Sequence, residues 1–242
     1  MPVMNMPDQA ELHRMAETVR RNAAAVVEAA AKAAHDVRVV AITKYVDAAW
    51  CCAAIEAGLT ELGENRILEG AEKFEAVRAT GREFTAHLVG PIQSNKARKV
   101  PEAYQFVQAL DDEKAARMLD KRCGEMGISL DALIEVNIDA EPQKSGVMLP
   151  EADEFATKIT EHMPRLRLRG IMVIPASPYG FSGAQLEQAT RDSFQRARKL
   201  YESLRDKHHK MDTLSMGMSA DYMWAIEEGA TMIRVGRMLW EP

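Results

Sequence analysis

The sequence predicts an α/β fold, a single (β/α)8 barrel of the triosephosphate-isomerase (TIM) type with one extra helix at the N-terminus. Three observations support this prediction. Eight short apolar runs alternate with segments of helical periodicity, which is the pattern of parallel βα units. The length of 242 residues suits such a barrel, and no segment has the character of a domain linker. We therefore interpret residues 1–242 as one domain.

The N-terminal helix and the first βα unit open the chain. Residues 8–34 are rich in alanine, and apolar side chains recur every three or four positions, which predicts a long amphipathic helix. The β-branched run 37–42 predicts the first strand, which leads into Thr43 and Lys44. The following helix, 47–58, stops at Gly58, a residue type that favours helix C-termini.

The same unit then repeats to the end of the chain. The other predicted strands are 60–63, 84–89, 104–109, 130–138, 166–174, 213–215 and 231–235. The predicted helices between them are 65–77, a short helix from Ser94, 112–126, 150–162, 184–207 and 220–228. An open, doubly wound sheet is the alternative, but it predicts a G-x-G-x-x-G motif after the first strand, and this strand ends in Thr-Lys-Tyr.

Composition and charge argue against several functional classes. No apolar run reaches the roughly 18 residues of a membrane-spanning helix, and the N-terminus lacks the order of a secretory signal. The net charge of −5 argues against general binding of nucleic acid or membrane surfaces. Three cysteines, two of them adjacent, suit a reducing cytoplasm better than a disulfide scaffold. No Cys/His spacing indicates a metal site.

Lys44 is the first candidate for chemistry, because the functional mouth of a parallel barrel lies where its strands end. Its amine should lie at the rim of the barrel. Desolvation and nearby cations lower the pKa of a lysine and expose the free amine that condenses with an aldehyde. A strand-end lysine with a solvated amine is the other interpretation, and spacing alone leaves both open.

Small residues after the last two strands indicate an anion site. Ser215, Gly217 and Ser219 precede a predicted helix, whose backbone N–H groups suit a phosphate. Gly236 permits close backbone approach after the last strand, and barrels often bind phosphate at these two positions. A simple tight turn with a helix cap is the alternative, and Asp221 in the first helical turn would repel a phosphate.

Arg234 is predicted to face the barrel interior. Strand alternation puts it on one face with Met232 and Gly236. A buried guanidinium is costly unless it meets an acceptor. A ligand ring nitrogen would serve, and so would a carboxylate such as that of Glu64.

Six ordered segments at matching spacings extend over nearly the whole chain. They are VVAITKYV (39–46), LGENRILEG (62–70), HLVGPIQSNKARKV (87–100), EVNIDAEPQKSGV (135–147), LRLRGIMVIPA (166–176) and TLSMGMSADY with TMIRVGR (213–237). Together they resemble the pyridoxal phosphate homeostasis proteins, the YggS/PROSC family. The resemblance implies a single barrel similar to the N-terminal domain of alanine racemase, with pyridoxal 5′-phosphate as its cofactor.

The resemblance also implies which residues contact that cofactor. They are Lys44, Asn65, Met172, Ser215, Arg234, Gly236 and Arg237. Lys44 would form the Schiff base, and Asn65 would line the pocket near the lysine. Ser215 and the backbone around Gly236 and Arg237 would hold the phosphate. Arg234 would face the pyridine nitrogen, and Met172 would contact the ring.

The chain departs from the family pattern at two places. Arg237 stands where many relatives carry a small hydroxyl residue that caps the phosphate. Residues 238–242 replace the usual ending, so no role of that tail is carried over. Lys144, in the QKSG loop after the fifth strand, is a second candidate for covalent attachment, and its alternative is a solvated loop lysine.

The resemblance favours a monomeric cytoplasmic carrier of pyridoxal phosphate, with cofactor-dependent apo-enzymes as partners, rather than an enzyme. A guanidinium only donates hydrogen bonds, so Arg234 would keep the ring nitrogen unprotonated and weaken the ring as an electron sink. Two alternatives remain. The first is a single-domain amino-acid racemase, and the second is a barrel with a structural lysine that binds another phosphate compound.

A racemase would need a second acid–base group opposite Lys44. The sequence offers Tyr45, His87 and Tyr179. Strand alternation predicts that Tyr45 points away from the mouth, and His87 should lie too deep in the third strand. Tyr179, in the loop after the sixth strand, is the candidate to test.

Overall fold

The computed structural model describes residues 6–175 and 181–241. Within these ranges eight parallel strands close into a barrel, because the last of them pairs with the first and the fourth pairs with the fifth. They are β1 (Arg38–Ile42), β2 (Glu61–Glu64), β3 (Thr85–Leu88), β4 (Phe106–Leu110), β5 (Leu130–Asn137), β7 (Leu166–Val173), β8 (Thr213–Ser215) and β9 (Met232–Val235). A two-residue strand, β6 (Val147–Met148), pairs with the end of β5. The predicted barrel is confirmed.

Helices cover the outside of the barrel. They are α1 (Gln9–Lys32), α2 (Ala48–Glu56), α3 (Ile67–Arg78), α4 (Val100–Ala103), α5 (Glu113–Met126), α6 (Ala152–His162), α7 (Gly183–Lys207) and α8 (Tyr222–Glu227). The extra helix α1 begins at the cap Asp8, whose carboxylate accepts the Glu11 amide at 2.8 Å. It packs against α2 through the apolar face that its periodicity predicted. No helix in the described ranges combines the length and apolarity needed to cross a membrane.

Two apolar regions result from strand alternation. The larger one lies between the strands and the surrounding helices. A smaller one fills the barrel interior, and its members are Val40, Ile42, Phe106, Ala109, Leu133, Met172 and Met232. Met232 and Arg234 face this interior, whereas Ile233 and Val235 face the helices, as alternation requires. The interior side chains nearest the carboxyl ends of the strands therefore form the bottom of the barrel mouth.

Gly170 marks a bulge that shapes the later half of the barrel. The pairing of β7 with β5 loses register between Leu168 and Gly170. The backbone of Gly170 has φ of +146°, and a Cβ there would lie 1.8 Å from the carbonyl oxygen of Thr213. Only glycine allows β7 and β8 to approach this closely.

We expect Gly170→Ala to lower the free energy of unfolding by about 3 kcal/mol or more, because strained dihedrals and a backbone overlap both oppose folding. Gly81→Ala is the matched control, since Gly81 has φ of +77° but nothing within 4 Å of the added methyl. Gly81→Ala should lower the free energy of unfolding by only about 1 kcal/mol. Urea unfolding followed by circular dichroism measures both values, and equal losses would contradict this account.

Candidate functional site

Lys44 lies in a turn directly after β1, and a buried polar group holds that turn. The Thr43 hydroxyl donates to Glu64 at 2.7 Å, and the Lys73 ammonium donates to the Thr43 carbonyl at 2.8 Å. Lys73 and Glu64 form an ion pair at 2.5 Å, with Glu64 only 3% exposed. This group fixes the backbone beside Lys44, whose own side chain is exposed at the rim.

The C-terminal segment holds the same strand end from the other side. The buried Trp240 indole donates to the Ile42 carbonyl at 3.0 Å, and its ring meets Trp50 edge-on at 6.3 Å. The Asn22 amide on α1 donates to the Leu239 carbonyl at 3.2 Å. Leu239 and Trp240 thus link the end of β1 to α1 and α2.

Tyr45 joins two cations at the mouth. The Lys44 Nζ atom lies 4.9 Å from the centroid of its ring, and the Arg237 guanidinium carbon lies 5.4 Å from it. The ring also lies beside Gly236, where an added Cβ would be 3.5 Å from Tyr45 Cε2. A hydrogen bond with Lys44 and the charges of Lys44 and Arg237 hold the pKa of Tyr45 below its ordinary value. The prediction that Tyr45 points away is wrong, because β1 ends at Ile42 and alternation stops there.

Ser219 completes this part of the mouth. Its hydroxyl oxygen accepts the Gly236 amide at 3.4 Å, a long hydrogen bond, and both Ser219 and Arg237 are exposed. The Asp221 carboxylate accepts the Met218 amide at 2.6 Å, so it caps the turn, and burial raises its pKa. We call Lys44, Tyr45, Ser219, Gly236 and Arg237 the mouth cluster.

Arg234 lies below the mouth cluster, inside the barrel. It is 5% exposed, and it donates to the Ser215 hydroxyl at 2.7 Å and to the Val173 carbonyl at 3.0 Å. Burial lowers its pKa to about 10. Pairing with Glu64, one of the two sequence-based interpretations, is wrong, because that carboxylate binds Lys73 and Thr43 instead.

Ser215, which the resemblance assigns to the phosphate, lies inside the barrel. It is fully buried, and its hydroxyl accepts from Arg234 and donates to the Gln108 side chain at 2.8 Å. Both its proton and an acceptor position are therefore committed inside the barrel. The exposed hydroxyl beside Gly236 belongs to Ser219, four residues further on.

Met172 and Glu135 lie on neighbouring strands of the barrel interior. They are register partners between β7 and β5, and Met172 is almost fully buried. Burial and the charge of Asp111 raise the pKa of Glu135 to about 7, and the Arg234 charge opposes this rise. The sequence analysis missed Glu135, although its place in alternation with the interior Leu133 could have indicated an inward carboxylate.

Asn65 is half-buried and follows β2 directly, next to the end of β1. Gly90, after β3, packs on its backbone, since an added Cβ there would lie 2.2 Å from the Asn65 carbonyl oxygen. The structure thus puts Asn65 at the same rim as Lys44.

The remaining candidates lie elsewhere. The Lys144 amine donates to the Pro175 carbonyl at 2.9 Å and pairs with Glu141, so it is engaged. His87 is fully buried in β3, as expected. Tyr179 lies outside the described residues. No cluster of His, Cys, Asp or Glu within the described ranges could hold a metal ion.

The arrangement suits one kind of ligand chemistry. A primary amine, an exposed guanidinium and a hydroxyl lie at one edge of the mouth, above a buried guanidinium that donates hydrogen bonds. An amine can condense with a carbonyl group, and the cations can bind an anion. The site therefore fits a ligand that carries both groups.

Comparisons with known proteins show the family to which the chain belongs. Residues 15–241 match the alanine racemase N-terminal domain family. The chain is 36% identical over 235 residues to the pyridoxal phosphate homeostasis protein of Escherichia coli, covering 94% of each. It is 37% identical over 229 residues to the protein of that name from Pseudomonas aeruginosa, covering 93% of this chain and 94% of the relative.

Solved structures extend the comparison. PipY of Synechococcus elongatus, described with pyridoxal phosphate bound, is 29% identical with a TM-score of 0.79, and the match covers 92% of this chain and all of PipY. An alanine racemase of Clostridium difficile shares the fold, with a TM-score of 0.73 at 12% identity, over 93% of this chain and 57% of the racemase. The chain belongs to the alanine racemase N-terminal domain family and, within it, to the pyridoxal phosphate homeostasis proteins.

Proposed function

We propose that the protein holds pyridoxal 5′-phosphate at the mouth cluster through a Schiff base to Lys44 and takes part in the homeostasis of this cofactor. The observation that carries the proposal is the exposed Lys44 amine, which shares the Tyr45 ring with the Arg237 guanidinium. The cofactor supplies an aldehyde, a phosphate and a pyridine ring. Membership of the family and the cofactor described in PipY support the same ligand.

The phosphate would be held by Ser219, the Gly236 amide and Arg237. The long Gly236–Ser219 hydrogen bond leaves a donor and a hydroxyl that can turn to an anion. Arg237 adds a cation where the sequence resemblance implies a small hydroxyl side chain, and a guanidinium can bind two phosphate oxygens at once. Ser215 acts indirectly in this proposal, because its hydroxyl is committed to Arg234 and Gln108.

Met172 and Asn65 would contact the pyridine ring at the mouth of the barrel. Arg234 would donate to the pyridine nitrogen and so keep that nitrogen unprotonated. Its guanidinium already donates to Ser215 and Val173, which fixes its direction before the ligand arrives. Such preorganisation lowers the entropic cost of binding.

We further propose a carrier rather than an enzyme, acting as a single-domain monomer in the cytoplasm and supplying pyridoxal phosphate-dependent apo-enzymes. The relatives that match 93% and 94% of the chain are called homeostasis proteins, which supports this role. Lys44 and Tyr45 touch each other, so these two acid–base groups serve one side of the mouth. A racemase needs groups on both faces of its substrate.

The attachment of the cofactor can be tested by replacing lysines. We expect wild-type protein with pyridoxal phosphate to show imine absorbance that Lys44→Ala abolishes, because Lys44 carries the exposed amine. Lys144→Ala is the control and should keep the band, since that amine is bound to Glu141 and Pro175. Borohydride reduction and peptide mapping locate the adduct. A stable adduct at Lys144 in the Lys44→Ala variant would contradict the assignment.

The absence of racemase activity is a separate prediction. We expect the cofactor-saturated protein to exchange the α-proton of alanine in heavy water no faster than free pyridoxal phosphate does, because Lys44 and Tyr45 lie together on one side of the mouth and racemisation needs a group on each face. Proton NMR of both alanine enantiomers measures the exchange. Rapid exchange in wild type that is lost in Tyr179→Phe or Tyr45→Phe would favour the single-domain racemase instead.

The raised pKa of Glu135 predicts that the stability of the fold depends on pH. Its pKa of about 7 in the folded protein exceeds the ordinary value near 4.3, so the folded state binds more protons than the unfolded state between these values. Stability contributed by the protonated form is therefore lost as pH rises through about 7.

Glu135→Gln removes this loss. We therefore expect the free energy of unfolding of the variant, measured relative to wild type, to rise by about 1–3 kcal/mol from pH 5 to pH 8. Glu72→Gln, at an exposed position on α3, is the control and should change by less than about 0.5 kcal/mol. Urea unfolding at both pH values measures the difference. A Glu135→Gln variant with no pH-dependent gain would show that this carboxyl titrates normally.

A further inference from the structure

A chain of hydrogen bonds crosses the barrel interior from Arg234 to Glu61, and the proposed function uses only its first members. We propose that Gln108 is a positioning residue that, through Ser215, holds the Arg234 guanidinium in the direction needed to bind the ring nitrogen of the cofactor. This inference rests on the proposed function for the identity of the ligand.

The chain is continuous across four strands beyond β9. Arg234 donates to Ser215 at 2.7 Å, and Ser215 donates to the Gln108 Oε1 atom at 2.8 Å. The Gln108 Nε2 atom lies 3.0 Å from His87 Nδ1, and His87 Nε2 contacts the Glu61 carboxylate. The members between Arg234 and Glu61 are fully buried.

The chemistry of the groups allows one direction for every proton. A guanidinium only donates, so Ser215 accepts from Arg234 and gives its single proton to Gln108. The Gln108 amide then offers its NH2 group to His87 Nδ1, which must be the unprotonated ring nitrogen. The His87 proton therefore sits on Nε2 and is donated to Glu61. A break at Gln108 would remove the orientation at both ends.

The surroundings of Gln108 argue against a role in stability alone. It interrupts the apolar run of β4, and its Nε2 atom lies 3.2 Å from the sulfur of Met232, a member of the apolar barrel interior. Buried hydrogen bonds in such places are often no more stabilising than apolar packing of similar volume. The polar chain is complete and ends at Arg234 below the mouth, so the property it maintains is the orientation of that guanidinium.

The first test needs no ligand. In ¹⁵N NMR of the free protein we expect His87 as the Nε2–H tautomer and slowly exchanging Arg234 guanidinium protons. Gln108→Leu should mix the His87 tautomers and speed the Arg234 exchange, while Ser193→Ala, which removes another buried hydrogen bond on α7, leaves both signals unchanged. Unchanged signals in Gln108→Leu would overturn the proposal.

The second test measures binding of pyridoxal 5′-phosphate and the ¹⁵N shift of its labelled ring nitrogen. We expect Arg234→Gln to raise Kd roughly 10- to 150-fold and Gln108→Leu about 10-fold, with the ring shift moving in the same direction. Gln108→Met provides a second replacement should the leucine variant unfold. Wild-type affinity and ring shift in a folded Gln108 variant would overturn the proposal. If wild-type protein fails to bind the cofactor, the proposed function fails, and the ligand-free spectra still decide whether Gln108 positions Arg234.

Discussion

The site depends on the pairing of β9 with β1, which closes the barrel. Four register pairs, from Arg38 with Met232 to Ala41 with Val235, join strands from opposite ends of the sequence. Because the strands are parallel, their carboxyl ends meet at one edge. Lys44 after β1 and Arg237 after β9 therefore reach the same tyrosine ring. Without this closure the distance between the Lys44 amine and the Arg237 guanidinium would not be fixed.

Two separate polar networks then hold the two levels of the site. At the rim, the Glu64–Lys73 ion pair fixes the Thr43 backbone beside Lys44. Inside the barrel, Ser215 and Gln108 hold Arg234. Both networks lie in a low-dielectric interior, where satisfied hydrogen bonds are strong and unsatisfied groups are costly. The exposed side chains of the mouth thus lie above and beside buried groups whose hydrogen bonds are satisfied.

The strands were predictable from sequence because buried parallel strands are short apolar runs, and all eight coincide with observed strands to within a few residues. The directions of side chains just after the strand ends could not be predicted from sequence. Alternation fails for Tyr45, because β1 ends at Ile42, as the apolar run predicted, and a strand's alternation cannot be carried into the turn that follows. Gln108 was detectable in principle, since a polar residue within FVQAL needs a buried partner. Its partners come from β3 and β8, and only the closed barrel brings them together.

The mouth cluster also explains how Arg237 is accommodated close to Lys44. Two cations near one another repel, and the face of an aromatic ring offsets part of this repulsion by attracting each of them. Tyr45 provides that ring for Lys44 and Arg237 together. A phosphate dianion that enters beside Gly236 would be attracted by both charges, and its binding would relieve the remaining repulsion. Arg237 is thus compatible with the proposed phosphate site because the Tyr45 ring attracts both its guanidinium and the Lys44 amine. The two residues, Tyr45 and Arg237, therefore act as one feature of this chain.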